Sequence, residues 1–542
     1  MKKQLLITAL LIVFSGQFLS GQTLHLDSLV SKIDALVPKQ VNDTTPGLVV
    51  GISHNGKLIF SKGYGMANLA YKIPNDPKMV YNIGSVSKQF IGYAFAMLHV
   101  NGELNLDDPV SKYLNDWPEF DEKVTLKHVL THTSGYREAY TISNLAGREI
   151  GIDRLSQEEC LNVVRRQPAL EFTPGSRHTY NSTGYVILAK VLENVTNTPA
   201  DVWVEENILK PLNMNDTQIE SYVGELINNS AESYSYIYNK GYLNHHSNRA
   251  IFGAADIYTN LEDLTKWINN YKTAEIGGPQ VKELFFKSFI LNDGNDSEYA
   301  LGIRNSTYRG IKQIYHTGGH EAFSTQASYF PDYDLGIITI SNFGGQGMVD
   351  VWEIADIILS DHLKDVNETS TVKNGKNNEK FAGLYLSSSK NRTIEFKESE
   401  GKLSTYNNDP LIPIDDNSYT LKGWSGKFNF QTTDNKTSLE INNMGVTTYQ
   451  KVDPWSPKLQ DLPEFEGKFW SDEIESSYSL EIKDDQLTVT HRWLEEVRLS
   501  PVTQDIFKSG GIYVQFIRND KNEVSGLMVH TPRTINVYFE KL

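Results

Sequence analysis

Residues 81–90 read YNIGSVSKQF, and a helical pattern begins inside this stretch. Apolar side chains recur after it at helical spacing until Asn101-Gly102, a pair typical of a helix end. Near the start of such a helix, Ser85 and Lys88 lie three residues apart and therefore face the same side. A serine hydroxyl becomes a strong nucleophile only when a neighbour takes its proton, and a lysine with a lowered pKa can do this. The pair therefore predicts a nucleophile, Ser85, activated by Lys88.

The spacing of this pair has two interpretations when it is taken by itself. A serine three residues before a lysine is a common pattern, and a surface serine and lysine at a helix start would look the same. The pattern also occurs at Ser387/Lys390 and at Ser399/Lys402, where the surrounding sequence predicts short strands rather than a helix. Other motifs along the chain are needed to decide between the interpretations.

Four further motifs follow residues 81–90 in the chain. They are NLDDPV at 105–110, TLKHVLTHTSG at 125–135, FTPG at 172–175 leading into YNSTGY at 180–185, and HTGG at 316–319. Their types and order resemble the serine β-lactamase and penicillin-binding-protein superfamily over roughly residues 30–362. The branch that they resemble includes class C β-lactamases, D-alanyl-D-alanine carboxypeptidases, D-aminopeptidases and related esterases.

The resemblance implies an acyl-enzyme mechanism. Ser85 would attack the substrate carbonyl, and Lys88 and Tyr180 would share the proton transfers. Which of the two is the base for acylation stays open. Tyr180 could serve only if cationic neighbours hold its pKa well below the usual value of about 10, and Lys88 is placed to do this.

The resemblance also implies an oxyanion hole and a set of substrate-binding residues. The backbone N–H groups of Ser85 and Gly319 would stabilise the developing oxyanion. The residues expected to contact the substrate are Ser182, His316, Thr317 and Gly318.

Two substitutions distinguish this chain from the lactamases. Ser182 stands where lactamases carry Asn, and a serine hydroxyl is shorter and can bond fewer partners. His316 replaces the Lys of the lactamase Lys-Thr-Gly motif, so a permanent positive charge is missing at pH 7. The sequence therefore favours an exported serine hydrolase of small esters, amides or D-amino-acid peptides. Two alternatives stay open: a degenerate, non-catalytic binding protein, and a D-Ala-D-Ala carboxypeptidase or class C-like β-lactamase.

The predicted fold of residues 24–364 is α+β. Apolar runs flank Asn55-Gly56 near the front, and others flank Pro331-Asp332-Tyr333-Asp334 near the back, and both turns are typical of hairpins. An antiparallel sheet completed by both ends of this region, flanked by helices and interrupted by a helical insert, is expected. Such a β-lactamase/transpeptidase-like arrangement would place the site between the sheet and the insert.

Composition changes after residue 364. Residues 365–380 are rich in Asn, Lys and Thr and are predicted to be a linker. Residues 381–542 contain short alternating strands and two weakly similar halves, which begin at FAGLY (381–385) and FEGKF (465–469). We expect a lipocalin-like β-barrel, with one barrel favoured over two small ones because closure removes exposed edges. In D-aminopeptidase-like relatives such modules can border the active site.

The N-terminus and the overall composition limit location and partners. Lys2, Lys3 and the short apolar run from Leu5 to Phe14 predict a signal peptide over residues 1–22, and therefore a periplasmic or secreted protein. A formal net charge of −16 disfavours nucleic acids and anionic membranes as partners. The single cysteine, Cys160, excludes an intrachain disulfide. No cofactor and no metal are expected, and the sequence leaves the oligomeric state open.

Overall fold

The computed structural model describes residues 26–149, 152–364, 378–387, 389, 392–421, 426–434, 436–443, 445–491 and 496–542. The predicted signal peptide (1–22) and most of the predicted linker (365–377) lie outside the described residues. Within these ranges, none of the helices combines the length and apolar character that crossing a membrane requires.

The helices fall almost entirely in the first two thirds of the chain. Their bounds are α1 (Leu26–Leu36), α2 (Lys88–Val100), α3 (Leu126–Leu130), α4 (Ala139–Leu145), α5 (Gln157–Arg165), α6 (Ser182–Thr196), α7 (Ala200–Val204), α8 (Leu261–Thr273), α9 (Gly278–Phe285), α10 (Val351–Ile358) and α11 (Asn378–Phe381). Cys160 is buried in α5.

The strands of the same part form one large sheet and several short ribbons. They are β1 (Leu48–His54), β2 (Lys57–Tyr64), β3 (Met66–Asn68), β4 (Ile73–Pro74), β5 (Tyr81–Asn82), β6 (Leu155–Ser156), β7 (Gln218–Ile219), β8 (Ser233–Ile237), β9 (Gly241–His245), β10 (Arg249–Ala250), β11 (Ile257–Thr259), β12 (Arg304–Tyr308), β13 (Ile311–His320), β14 (Phe323–Phe330) and β15 (Leu335–Ser341).

The large sheet is antiparallel and is completed by both ends of the α+β unit, as predicted. Its order is β12-β13-β14-β15-β1-β2, and the two apolar strands β1 and β15 pair in its middle. The predicted hairpin between β1 and β2 is present: Asn55 and Gly56 both have positive φ angles, which a two-residue turn of this kind requires. Residues 65–303, between β2 and β12, supply the helical insert.

Alternation along the central strands buries both faces of the sheet. On one face, Leu48 and Val50 pack with α1 and α10 through Ile33 and Ile354. On the other face, Val49 and Ile340 pack with the insert, whose innermost helix, α2, contributes Phe90 and other fully buried side chains. The turn that carries Ser85 therefore lies in the core between sheet and insert, and both layers hold it in place.

The C-terminal region contains two separate sheets rather than the single barrel that the sequence favours. The first is built from β16 (Gly383–Ser387), β17 (Arg392–Ser399), β18 (Lys402–Thr405), β19 (Ile412–Pro413), β20 (Ser418–Thr420), β21 (Lys427–Thr433), β22 (Lys436–Asn442) and β23 (Val446–Val452). The second is built from β24 (Gly467–Ser471), β25 (Ser476–Lys483), β26 (Gln486–Thr490), β27 (Val497–Arg498), β28 (Ser500–Thr503), β29 (Ile506–Ser509), β30 (Ile512–Arg518), β31 (Val524–His530) and β32 (Val537–Lys541).

Each of these sheets curls on itself, so we call them the first and second barrels. In the first, Leu411 N–H donates to the Leu403 carbonyl at 2.9 Å and joins the two edges. In the second, β27 pairs with β26 at one edge of the sheet, and β28, which follows β27 directly in the chain, pairs with β29 at the other edge. The segment 497–503 therefore joins the two edges. Each barrel also has its own aromatic core. The sequence favours one barrel because closure removes exposed edges, but each half supplies enough strands to close and remove its edges alone.

The second barrel packs directly on the insert. Ile142 and Leu145 of α4 belong to the same apolar cluster as Phe469 of this barrel, and the Tyr478 hydroxyl donates to the Leu145 carbonyl at 2.9 Å. Beside this contact, the buried guanidinium of Arg137 pairs with Glu171 at 3.0 Å and with Glu473 of the barrel at 2.7 Å. The junction thus combines apolar packing with a buried ion-pair network, as a protein interior does.

Replacing Arg137 by Met is expected to lower the free energy of unfolding by roughly 3–5 kcal/mol, because it leaves two buried carboxylates without their cation. Arg166→Met is the matched control: Arg166 also joins the insert to the second barrel, but its pair with Glu475 is more than half exposed on both sides and is expected to contribute about 1 kcal/mol or less. Urea unfolding followed by circular dichroism measures both. Equal losses would contradict the buried character of the Arg137 network.

Candidate active site

Ser85 lies on a short 3₁₀ helix, Gly84–Ser87, which runs directly into α2. This turn touches the end of β13 so closely that only glycines fit. A Cβ atom on Gly84, which has a φ of +52°, would lie 2.6 Å from the Gly319 nitrogen. A Cβ atom on Gly318 would lie 2.0 Å from the Ile83 carbonyl oxygen. The two predicted motifs are therefore brought together, with the backbone of Ser85 beside that of Gly319.

Lys88 is fully buried, and its ammonium group has two hydrogen bonds. Nζ donates to Ser85 Oγ at 2.9 Å and to the Ala254 carbonyl at 2.8 Å. Burial lowers the pKa of Lys88 to about 7; the positive charge of Arg533 also lowers this pKa, whereas the carboxylates of Glu138 and Asp256 act in the opposite direction. A substantial fraction of Lys88 is therefore neutral at pH 7 and able to accept a proton from Ser85.

Tyr180 lies next to this pair, with the centroid of its ring 5.1 Å from Lys88 Nζ. Its buried hydroxyl faces Ser85 and makes no hydrogen bond of normal geometry within the described residues. Burial raises the pKa of Tyr180 to about 12, although Ser85 and Arg533 act in the opposite direction. The condition under which Tyr180 could serve as the base, a pKa well below 10, is therefore not met, because burial disfavours the charged tyrosinate. At neutral pH Tyr180 is a proton donor.

The ring of His132 packs against the ring of Tyr180. The two ring centroids are 4.3 Å apart, and the backbone N–H of Asn181 donates to His132 Nδ1 at 3.1 Å. Burial holds the pKa of His132 well below its usual value, so the ring is neutral. His132 therefore packs against Tyr180 and holds the backbone of the next residue, Asn181, which is a structural role.

The HTGG motif forms the rim of the site at the end of β13. The pairing between β12 and β13 stops at Tyr315, so residues 316–320 pair only with β14 and leave one edge of the strand facing the site. His316 is buried, and its Nε2 lies 2.9 Å from the Tyr299 hydroxyl. Burial lowers the pKa of His316 to about 3, so this residue carries no positive charge at pH 7.

A pocket of about 570 Å³ opens in front of Ser85. All the predicted substrate-binding residues line it, namely Ser182, His316, Thr317 and Gly318, together with Gly319 and Tyr180. Three arginines, Arg249, Arg304 and Arg533, line it as well, and Arg533 belongs to the second barrel. The structure therefore agrees with the expectation that the C-terminal region borders the site.

Ala254 is a functional residue that sequence reasoning missed, because its contribution is a backbone carbonyl. The turn that presents this carbonyl to Lys88 is held by Asp256, whose Oδ2 accepts from Ile251 N–H at 2.8 Å. Asp256 has a φ of +76° and no exposed surface, and burial raises its pKa to about 7. No sequence motif distinguishes such a turn.

Metal ligation is not supported by the side chains that the structure describes. Within these ranges, no group of three or more His, Cys, Asp or Glu side chains has the arrangement of a metal site. His316 and His320 have separate partners: the first contacts Tyr299, and Nε2 of the second lies 3.1 Å from Ser247 Oγ.

Comparison with known proteins identifies the family. A family model described as Beta-lactamase matches residues 28–357. The chain belongs to the beta-lactamase family. Members of this family are serine hydrolases of the β-lactamase and penicillin-binding-protein superfamily. The matched range contains Ser85, Lys88, Tyr180 and the HTGG motif, whereas Arg533 lies outside it.

Individual relatives are distant. Protein flp of Staphylococcus aureus (strain MRSA252) is 26% identical over 326 residues, which are 56% of this chain and 60% of that protein. The chain thus spans less than two thirds of the length of such curated relatives. The octameric penicillin-binding protein homologue from Pyrococcus abyssi is similar in structure, with a TM-score of 0.55, 23% identity and coverage of 79% of this chain and 100% of that chain.

A second structural relative has a D-amino acid in its description. D-amino acid amidase from Ochrobactrum anthropi SV3, complexed with D-phenylalanine, has a TM-score of 0.50 and 18% identity, and the likeness covers 61% of this chain and 98% of that chain. At this identity the likeness shows the common fold alone.

Proposed function

We propose that the chain is an exported serine hydrolase that forms an acyl-enzyme at Ser85 and acts on small esters, amides or peptides of D-amino acids. The observation that carries this proposal is the 2.9 Å contact between Lys88 Nζ and Ser85 Oγ, made by a lysine whose pKa is lowered to about 7. A buried amine poised near neutrality beside a hydroxyl is suited to general-base catalysis.

The proposed reaction proceeds in two steps. In acylation, Ser85 Oγ attacks the substrate carbonyl while neutral Lys88 takes the hydroxyl proton, and the backbone N–H groups of Ser85 and Gly319 stabilise the oxyanion. Tyr180, protonated at neutral pH, then supplies a proton to the leaving nitrogen or oxygen and is reprotonated from Lys88. In deacylation, water attacks the acyl group while Lys88 takes one of its protons, and as the bond to Oγ breaks Lys88 returns this proton to Ser85 Oγ, which releases the acid and regenerates the hydroxyl.

Export and the substrate class rest on separate arguments. Export is inferred from the charged start and apolar run of residues 1–22. The D-amino-acid class is inferred from the likeness to a D-amino acid amidase. Ser182 and neutral His316 disfavour β-lactams as substrates.

A substrate panel tests the proposal. Purified protein is expected to hydrolyse p-nitrophenyl acetate and to cleave D-alanine p-nitroanilide at least about tenfold faster than the L-isomer, with nitrocefin the poorest substrate. The rates are followed by absorbance, and the acyl-enzyme is followed by intact mass. Absence of both turnover and acyl-enzyme would favour the non-catalytic binding protein. Rapid nitrocefin hydrolysis would instead favour a β-lactamase.

A further inference from the structure

The loop Thr531–Asn536 of the second barrel, between β31 and β32, reaches the mouth of the active-site pocket. Its turn is closed by its own hydrogen bonds: Thr531 N–H donates to the Thr534 carbonyl at 2.7 Å, and Thr534 N–H donates to Thr531 Oγ1 at 3.0 Å. Thr534 is fully buried, whereas Arg533, at the tip, is exposed.

The loop is fixed to the insert through the three residues that follow Arg533, namely Thr534, Ile535 and Asn536. Glu138 N–H donates to Thr534 Oγ1 at 3.3 Å, and Ile535 N–H donates to Glu171 Oε1 at 3.3 Å. The Arg137 guanidinium donates to the carbonyls of Ile535 and Asn536. Because these contacts come from the hydrolase unit itself, the Arg533 backbone is held at a set position relative to Ser85.

The Arg533 side chain lies over the ring of Tyr180, with Cζ 5.2 Å from the ring centroid, and lines the pocket with Ser85. Among the described residues, no Asp or Glu lies within ion-pair distance of its guanidinium. Arg249 in the same pocket is different, because it is paired with Glu321 at 2.6 Å and is thereby neutralised. The charge of Arg533 therefore faces the pocket.

We propose that Arg533 is a specificity-determining residue that binds a carboxylate on the leaving-group side of the substrate. A guanidinium offers a planar pair of donors that matches a carboxylate. Neutral His316 does not supply this charge, and Arg304 adds a second cation to the pocket. The leaving-group side follows from the position of Arg533 on Tyr180, the residue to which the proposed reaction assigns protonation of the leaving group. This inference rests on the proposed function and narrows its substrate class.

Two acetate esters test this inference at pH 8.5, where Lys88 is mainly neutral. They are 3-acetoxybenzoate, whose leaving group carries a carboxylate, and methyl 3-acetoxybenzoate, whose leaving group is neutral. Arg533→Gln is expected to lower kcat/KM roughly ten- to a hundredfold for the charged ester and by less than about threefold for the neutral one. Arg533→Lys is expected to restore part of the charged-ester rate, since it keeps the charge without the planar donors.

Arg498→Gln is the matched control, since Arg498 lies on the same barrel in an exposed pair with Asp484, and its two rates should equal those of the wild type. If Arg533→Gln hydrolysed both esters at wild-type rates, the inference would be overturned while the proposed function stayed intact. Equal loss for both esters would also overturn it, because Arg533 would then act only through the field at Lys88. Failure of the wild type on both esters would count against the proposed function itself.

Discussion

Ser85→Ala is expected to reduce hydrolysis of p-nitrophenyl acetate by roughly 10⁴-fold or more, to the background set by other side chains and hydroxide. The reason is that the proposed covalent intermediate cannot form without Oγ, and neither Lys88 nor the oxyanion hole can then contribute through it. In the same variant, a fluorophosphonate should add no mass at this site. Initial rates and intact mass spectrometry measure the two effects.

Ser399→Ala is the matched control for this experiment. Ser399 and Lys402 have the same spacing as Ser85 and Lys88, but they face each other across a hairpin between β17 and β18. This variant is expected to be labelled and to turn over substrate as the wild type does. Equal labelling of wild type and Ser85→Ala would refute the assignment of Ser85 as the nucleophile.

The part of the fold that could be predicted from sequence is the part that local chemistry determines. Asn55-Gly56 specifies a hairpin through the positive φ angles that these residues tolerate, and the apolar run of β15 predicts a strand with both faces buried. The contact between Ser85 and Lys88 was predictable for the same reason. Residues three apart at a helix start meet whatever the rest of the chain does.

The C-terminal architecture was harder to predict because each barrel is closed by backbone hydrogen bonds, and the residues that make them have no distinctive sequence. Leu411 and Leu403 join the edges of the first barrel through backbone atoms, and residues 497–503 do so in the second by pairing with two different strands. Neither segment has a composition that distinguishes an edge from a closed seam. The repeated motif identified two similar halves, but it did not indicate whether they close separately.

The charges and pKa values of the site could not be predicted from the sequence either, because they depend on contacts between distant parts of the chain. The loop that carries Arg533 to the pocket is held by Arg137, Glu138 and Glu171 of the insert, which are more than 350 residues away in sequence. The positive charge that Arg533 brings to the pocket thus comes from a residue outside the family motifs. The pKa of Tyr180 depends on burial by both units, which no local pattern reports.

Lys88→Met is expected to lower kcat/KM by roughly 10²–10⁴-fold, because it removes the proposed base while keeping the length of the side chain. The wild-type kcat/KM should fall below pH 7, since Lys88, with its pKa lowered to about 7, becomes protonated there. This acid limb should be absent in the variant. Near-normal rates in Lys88→Met would move the role of base to Tyr180.

The same substitution is expected to stabilise the protein at pH 7 by on the order of 1–3 kcal/mol. The pKa of Lys88 is about 7 in the fold, compared with 10.5 for an exposed lysine. Between these values the unfolded chain binds more protons, so wild-type stability rises with pH and burial of Lys88 costs most at pH 7 and below. Loss of the hydrogen bond to the Ala254 carbonyl offsets part of the gain.

Urea unfolding at several pH values measures this effect, and Lys402→Met is the control, because Lys402 is exposed. The stability difference between Lys88→Met and the wild type should be largest at pH 7 and shrink as the pH approaches 10. In the control it should stay within about 0.5 kcal/mol throughout. A gain from Lys88→Met that did not change with pH would show that the ammonium is not the destabilising group. A loss of stability at pH 7 would show that the contacts of Nζ outweigh the cost of burying its charge.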